Sequence, residues 1–261
     1  MNIKNLTAKA ILSSLVWILA IQTASAQAGS VPTLSLRCHT ELNPAIWDGD
    51  ELKPTIRAAL LKFADAWATY VNVSPSLIEN VIMVGGNAHY NYTDKSDIDV
   101  HIVVNKAKLD PNQVMLEDYL FTKKMLWQSS HQITVYGYPI EPYVEDPTKV
   151  MSPYRGVYSL KNNEWMQRPN ASDCKIGDTQ KIERAVQDHI QTIDQMIANK
   201  ADADAFKALK DKLKTLRSIA IAQYGEFTFE NLVFKELRNR QYIDKIDKYE
   251  QNLRDQELSL R

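Results

Sequence analysis

The stretch from Val81 to Asn87 constrains the fold of this chain most, because a wholly apolar segment runs straight into two adjacent glycines. Ten residues separate Gly86 from a second apolar segment, which begins with Asp97 and carries Asp99 two positions later. Side chains alternate between the two faces of a strand, so Asp97 and Asp99 point to the same side. The sequence therefore predicts two strands, the first ending in a tight turn and the second presenting paired carboxylates.

Composition places the chain among ordinary globular proteins. Of its 261 residues, 44% are hydrophobic and 24% are charged, which is enough apolar material for one large domain or two modest ones. The 31 basic and 32 acidic residues nearly cancel, giving a formal net charge of −1. This balance excludes a protein that coats nucleic acid through bulk charge, although it allows a local basic groove.

The first 28 residues have the pattern of a secretory signal peptide. Lys4 and Lys9 give a positive start, the segment 10–21 is apolar except for two serines, and Ala24-Ser25-Ala26 has the small-x-small form of a cleavage site. We predict a mature chain that begins near residue 27 or 29, is not inserted in a membrane, and is exported to the bacterial periplasm. If the signal is not functional, the protein is cytoplasmic and this segment is a short buried helix.

Cys38 and Cys174 are the only cysteines, and they lie 136 residues apart. In an oxidising compartment they can form a disulfide, and in a reducing one they remain two thiols. The sequence leaves these two states open. Neither cysteine has the spacing of a metal ligand pair, and the five histidines are scattered, which argues against a zinc site.

Hydrophobic periodicity predicts an α+β domain over residues 29–170, with a small mixed sheet flanked by helices. A helix over 50–70 and a helix from Asp110 to about Gln128 show the 3.6-residue period, and the second should bury Leu116, Tyr119, Leu120 and Trp127. The predicted strands cover 81–84, 97–104, 133–136 and 140–144, followed by a hairpin over 156–165.

A helical subdomain is predicted over residues 171–261. The polar segment 170–180 resembles a linker, and three amphipathic helices follow it, the last running from after Gly225 to about Leu253. A coiled coil is the alternative for so charged a region. Because the apolar stripes are wide and the helices short, the pattern favours a packed helical subdomain.

The pair Gly85-Gly86, ten residues, and then Asp97-Ile98-Asp99 resembles the signature of the polymerase-β-like nucleotidyltransferase superfamily. In that signature a third carboxylate lies on a later strand. The segments 43–47, 136–141, 156–160 and 225–232 are similar to predicted nucleotidyltransferases encoded in phage and bacterial genomes. The likeness extends over most of the mature chain, and it implies a nucleotidyltransferase-like fold and reaction.

The resemblance implies that Asp97 and Asp99 bind Mg²⁺ or Mn²⁺, since these ions take hard carboxylate oxygens and leave other positions to phosphates and water. Glu141, on or just after the third strand, is the predicted third carboxylate. Pro142 beside it cannot donate a sheet hydrogen bond, so the strand should be edge-like or bulged there. Glu145 and Asp146 are alternative carboxylates, although with Pro147 next they resemble a strand-terminal turn.

A phosphate-binding role is predicted for the turn and for the connector that follows it. Gly85 and Gly86 would let backbone N–H groups approach phosphates, as no Cβ obstructs them. Many active members of the superfamily have serine where this chain has Gly86, so either the backbone contacts suffice or Asn87 supplies the polar group. Lys95 and Ser96 are further candidates for phosphate contact.

The function these residues predict is Mg²⁺-dependent transfer of a nucleoside monophosphate from a nucleoside triphosphate, with ATP the expected donor. The acceptor is a hydroxyl of a small molecule, a nucleic acid or a protein. The alternative is a catalytically inactive binding module of the same fold, whose partner is a protein or a nucleic acid. Secondary candidates for contacts in the site are His101 and three cations near the hairpin, Arg155, Lys161 and Arg168.

Overall fold

The structure, a computed structural model, describes residues 34–151 and 155–259. The predicted signal peptide therefore lies outside the described residues. The described part forms one compact unit, with a sheet-containing half followed by a helical half. None of its helices combines the length and the apolar character that crossing a bilayer requires.

Eight strands and six helices are present in the described residues. The strands are β1 (Trp47–Asp48), β2 (Glu51–Leu52), β3 (Ile78–Val84), β4 (Ile98–Val104), β5 (Thr134–Val135), β6 (Tyr138–Glu145), β7 (Val157–Ser159) and β8 (Glu164–Gln167). The helices are α1 (Pro54–Tyr70), α2 (Gln113–Ser130), α3 (Thr179–Ala198), α4 (Ala203–Tyr224), α5 (Phe229–Asn239) and α6 (Tyr242–Leu258).

The main sheet has the strand order β5-β6-β4-β3-β7-β8 and is mixed, because β4 and β6 are parallel while the other neighbours are antiparallel. The α+β prediction with a mixed sheet flanked by helices is therefore confirmed. β5 pairs only with Tyr138 and Pro139 of β6, so within the described residues β4 is the single partner of β6 at Pro142. The edge-like strand predicted from this proline is present.

The central strands are buried on both faces, as their apolar sequences predict. One face of β4 packs with Leu60 and Trp67 of α1 in the larger core cluster. The residues of this face are Ile98, Val100, Ile102 and Val104. Val103, on the opposite face of β4, packs with Ile82 in a smaller cluster. The face of β4 that carries Asp99 is thus separate from the main core.

Several predicted boundaries were wrong. The helix predicted from Asp50 begins at Pro54, because the residues before it form the β1–β2 hairpin. The helix predicted from Asp110 begins at Gln113, with the Asn112 side chain accepting the Met115 backbone N–H at 3.2 Å as the N-cap. Tyr119 of this helix is 38% exposed rather than buried.

The last predicted helix is two helices, α5 and α6. Gln241 between them has a φ of 63°, in the left-handed region, which ends the first helix and redirects the chain. Arg240, directly before this break, ties it to α3. Its guanidinium donates to both Glu183 carboxylate oxygens at 2.9 and 2.6 Å and to Glu236 Oε1 at 2.8 Å.

Arg240→Ala should lower the free energy of unfolding by about 3 kcal/mol. The Glu183 and Glu236 side chains are buried, and removing their shared cation leaves two uncompensated carboxylates. Urea unfolding followed by circular dichroism measures the loss. Arg254→Ala is the matched control. It should leave the unfolding midpoint unchanged, because its partner Asp204 is exposed and its other partner, Glu250, keeps the Lys210 ammonium at 2.8 Å. Equal effects in the two variants would contradict the role assigned to Arg240.

Cys38 and Cys174 form a disulfide, which settles the alternative that the sequence left open. The bond ties the segment that precedes β1 to the connection between β8 and α3. The same segment is fixed to α5, because the Ser35 N–H and hydroxyl donate to Glu236 Oε2 at 3.0 and 2.7 Å. The N-terminal part of the described chain therefore joins the sheet-containing half to the helical half.

Candidate functional site

The turn after β3 is built around Gly85, which has a φ of 81°. A Cβ atom at this position would lie 1.9 Å from Asp99 Oδ2, so only glycine fits between the turn and the carboxylate. At Gly86 a Cβ would lie 3.2 Å from Ser96 Oγ, a tight but less severe contact. The first glycine thus brings the backbone directly against Asp99.

Three carboxylates converge beside this turn. Asp97 precedes β4 and Asp99 lies within it, while Glu141 of β6 is the register partner of Asp99 in the parallel pair. One oxygen from each of the three side chains lies within 4.8 Å of the others. This spacing is suitable for one shared divalent cation. The predicted convergence of Asp97, Asp99 and Glu141 is therefore present in the structure.

Burial and mutual repulsion set the protonation of these groups. Burial first, and then the charges of Asp97 and Glu141, raise the pKa of Asp99 well above its usual range. Burial and the Glu141 charge also raise the pKa of Asp97. Burial acts in the same direction on Glu141, but the ammonium of Lys124 and the hydroxyl of Tyr143 outweigh it and lower its pKa. Without a cation, the site accommodates its negative charge poorly.

Two donors hold Glu141 by one oxygen. Lys124 Nζ of α2 and the Tyr143 hydroxyl donate to Glu141 Oε2 at 3.0 and 2.7 Å. Burial raises the pKa of Tyr143 well above its usual range, so its hydroxyl remains a donor. Within the described residues, Glu141 Oε1 has no hydrogen-bond partner. Oε1 is therefore the Glu141 oxygen that no hydrogen bond from the described residues occupies.

The other predicted phosphate-binding residues differ in placement. Gly85, Gly86 and Ser96 line the first cavity beside the carboxylates, whereas Lys95 is exposed and lines a second cavity. The Asn87 side chain is fully buried and already bonded, since it donates to the Asp97 carbonyl at 2.8 Å and accepts from Asn43 at 2.8 Å. The phosphate contact predicted for its amide is not available, and Asn87 instead fixes the start of β4.

The secondary candidates lie outside both cavities. His101 Nδ1 is hydrogen-bonded to Glu145, and Arg155 pairs with the same carboxylate. Lys161 Nζ donates to backbone carbonyls at the start of β3, and Arg168 pairs with Asp50 at 2.6 Å. These side chains stabilise the sheet and its hairpin, which explains why the cations predicted to reach a ligand do not.

The helical half supplies cations that the sequence analysis did not single out. Arg217 of α4 and Lys235 and Arg238 of α5 line the first cavity, which has a volume of about 200 Å³. Arg238 Nη1 lies 4.0 Å from Asp97 Oδ2, and Lys235 Nζ lies 3.1 Å from Glu226 Oε2. Arg217 Nε donates to Asn231 Oδ1 at 2.8 Å, and among the described residues no carboxylate lies within ion-pair distance of its guanidinium. In the sequence, these residues have the spacing of ordinary surface cations on amphipathic helices. Only the packing of the helices places them at the cavity.

A second cavity of about 540 Å³ adjoins the first. The two share Asp97, Glu141, Arg238 and Asn239 in their walls. Its remaining lining is mixed, with apolar, uncharged polar and only a few charged side chains. The lining includes Gln128, His131, Ile133, Thr134, Ile140 and Gln241. A ligand in this second cavity would reach the same carboxylates from another side.

One buried acceptor in the first cavity lacks a partner. Asn91 Oδ1 has no hydrogen bond within the described residues, although its solvent exposure is negligible. A buried amide oxygen without a donor is costly. A hydroxyl, an amine or a water bound in the cavity would satisfy it.

The stabilisation of the protein by a bound divalent cation should increase as the pH rises. In the metal-free protein, the raised pKa of Asp99 contributes stability that is present below the unfolded-state pKa and is lost as pH rises through the folded-state value. A bound divalent cation reverses this loss. Mn²⁺ should therefore raise the Tm at about pH 8 and have little effect near about pH 4, where aspartates protonate. A Tm increment that is the same at both values would contradict metal binding by these carboxylates.

Comparison with known proteins adds little to the description of this chain. No family model matches the sequence, and no curated protein matches it. Among solved structures, the chain is similar to the STING-associated CdnE c-di-GMP synthase from Capnocytophaga granulosa. The sequence identity is 11%, the TM-score is 0.22, and the match covers 81% of this chain and 85% of that chain. A likeness of this degree assigns neither a family nor a function, so the chemistry of the site must come from its own residues.

Proposed function

We propose that this protein is a Mg²⁺-dependent nucleotidyltransferase, which transfers a nucleoside monophosphate from a triphosphate to an acceptor hydroxyl. The observation that carries the proposal is the convergence of Asp97, Asp99 and Glu141 within 4.8 Å, directly against the Gly85 turn. The signature resemblance in the sequence supports the same reaction.

The residues present fit a divalent cation. Asp97, Asp99 and Glu141 Oε1 would hold it, since Mg²⁺ and Mn²⁺ take carboxylate oxygens. When bound, such an ion acidifies a hydroxyl and offsets the negative charge that develops on phosphate oxygens. The pKa values of Asp97 and Asp99 are raised without it, which is the direction expected for carboxylates that await a cation.

The cations opposite the carboxylates suit the triphosphate. Arg217 presents a guanidinium to the first cavity, and Lys235 and Arg238 lie beside it. Guanidinium and ammonium groups donate strong charge-assisted hydrogen bonds to phosphate oxygens. Gly85 and Gly86 border the same cavity, with Gly85 directly against the Asp99 carboxylate, while Asn91 Oδ1 can accept from a ribose hydroxyl or a base amine.

The proposed reaction is a single displacement. The acceptor oxygen forms a bond to the α-phosphorus, the bond from that phosphorus to the bridging oxygen breaks, and pyrophosphate leaves with the electron pair. The hydroxyl proton passes to a carboxylate of the triad. We propose the second cavity for the acceptor, since it borders Asp97 and Glu141 and its lining is largely apolar and amide-bearing, with the cations Lys95 and Arg238. Such a lining suits an uncharged hydroxyl compound.

The test is pyrophosphate release from each of the four nucleoside triphosphates, measured with Mg²⁺ and with a chelator. The Asp99→Asn protein, purified in the same way, is the blank for contaminating enzymes. The proposal requires release that depends on Mg²⁺ and is absent from the blank. Equal rates in the two proteins would overturn it.

The competing function is a binding module that keeps the fold and has lost the chemistry. The ion pair of Lys124 with Glu141 favours it, because the third carboxylate is already partly neutralised. Calorimetric titration with ATP and Mg²⁺ separates the two functions. Heat and a raised Tm support the transferase, whereas neither effect, together with no pyrophosphate release, supports the module.

A further inference from the structure

Lys124 is a half-buried cation beside the carboxylate triad. It lies on α2, its side chain is 15% exposed, and its ammonium is 3.0 Å from Glu141 Oε2. The same ammonium lies 3.3 Å from the centroid of the Tyr143 ring, a cation–π contact that fixes it in place. It lines neither of the two cavities described above, so substrate contact is not its role.

The two carboxylate oxygens of Glu141 differ in their hydrogen bonds. Oε2 accepts from Lys124 and Tyr143, while Oε1 has no partner within residues 34–151 and 155–259. A divalent cation held through Oε1 would therefore share one carboxylate with a permanent positive charge. Since like charges on one carboxylate repel each other, Lys124 must lower the affinity of the site for the ion.

The charges around the triad lead to the same conclusion. Three carboxylates are partly offset by Lys124 and by Arg238, whose Nη1 lies 4.0 Å from Asp97 Oδ2. The remaining negative charge is about that of one carboxylate. A lone divalent ion already exceeds it, whereas an ion that arrives with the negative phosphates of a nucleotide does not.

We propose that Lys124 is a positioning residue that holds Glu141 and restrains divalent-cation binding in the nucleotide-free site. The inference rests on the proposed function, because it takes the triad as the metal site. It couples tight metal binding to the arrival of a polyanionic substrate. If the role of Lys124 were purely structural, its replacement would change the cation affinity in the opposite direction. Glu141 would become disordered and metal binding would weaken.

The experiment is a Mn²⁺ titration of the nucleotide-free full chain, read as free Mn²⁺ by electron paramagnetic resonance. Lys124→Met should bind Mn²⁺ about tenfold more tightly than the wild type, because a unit charge near a divalent ion is removed. Tyr143 still holds Glu141 in this variant. Lys124→Arg keeps the charge and should bind as the wild type does.

Lys123→Met is the matched control. Lys123 lies on the same helix and is similarly half-buried, but its ammonium lies 4.5 Å from the Tyr70 ring centroid and makes no contact with the triad. The Lys123→Met variant changes the net charge by the same amount as Lys124→Met and should leave the Mn²⁺ affinity unchanged. Lys124→Gln provides a second neutral variant if Lys124→Met does not fold, as judged by its metal-free Tm.

The outcomes separate this inference from the proposed function. Mn²⁺ binding that requires Asp99 and tightens in Lys124→Met supports both. Binding that requires Asp99 but is unchanged or weaker in the neutral Lys124 variants overturns the role of Lys124 alone. No binding in the wild type or in the neutral Lys124 variants, or binding that survives Asp99→Asn, overturns the metal site and the inference with it.

Discussion

The Gly85→Ala variant should lose about a hundredfold in the rate of pyrophosphate release, the readout of the proposed activity. A Cβ at this position would lie 1.9 Å from Asp99 Oδ2, so Asp99 must leave the position in which it meets Asp97 and Glu141. A displacement of about 1 Å at a reacting centre is enough for a loss of this size. The Mn²⁺ affinity should fall with the rate, because the same carboxylate would bind the ion.

Gly137→Ala is the control for an alanine at a positive φ that meets no neighbouring side chain. Gly137 has a φ of 86°, close to the 81° of Gly85, but an added Cβ there meets nothing within 4 Å. Both variants place alanine at a positive φ, and at Gly85, where ψ is −166°, the backbone is open essentially only to glycine, at a cost of about 1–3 kcal/mol. Only Gly85→Ala should lose activity and Mn²⁺ binding. A similar loss in both would show that strain, and not the contact with Asp99, decides the effect.

The local part of the site could be predicted from the sequence. The alternation of side chains along a strand places Asp97 and Asp99 on one face, and the adjacent glycines mark the turn beside them. These features depend on residues close together in the chain, so the sequence pattern can predict them. The identification of Glu141 required the family resemblance, because its position opposite Asp99 follows from the parallel pairing of β4 with β6, which is set by contacts distant in sequence.

The tertiary part of the site could not be predicted in this way. Arg217, Lys235 and Arg238 have the spacing of solvent-facing cations on amphipathic helices, and only the packing of α4 and α5 against the sheet turns them toward the carboxylates. Asn87 illustrates the reverse error. A polar residue beside a glycine pair suggests ligand contact, yet its amide is used to hold the Asp97 carbonyl. The break at Gln241 also escaped prediction, because the apolar period continues across it.

Removal of the disulfide should produce the largest loss of stability. The bond between Cys38 and Cys174 spans 136 residues, and a loop of that length stabilises the fold by about 4–5 kcal/mol in the chain-entropy model. The double variant Cys38→Ala with Cys174→Ala should lose this amount in urea unfolding followed by tryptophan fluorescence. A disulfide of this kind persists in an oxidising compartment.

A reductant provides the control, since it should destabilise the wild type to the level of the double variant and leave the variant unchanged.

Loss of the disulfide should also disturb the lining of the first cavity. Leu36 lines the first cavity only two positions before Cys38, and Ser35 beside it is held by the Glu236 carboxylate. If the double variant were as stable as the oxidised wild type, the Ser35 hydrogen bonds would suffice to order this segment. If stability falls while Mn²⁺ binding persists, the disulfide constrains the unfolded chain, and the triad does not depend on it.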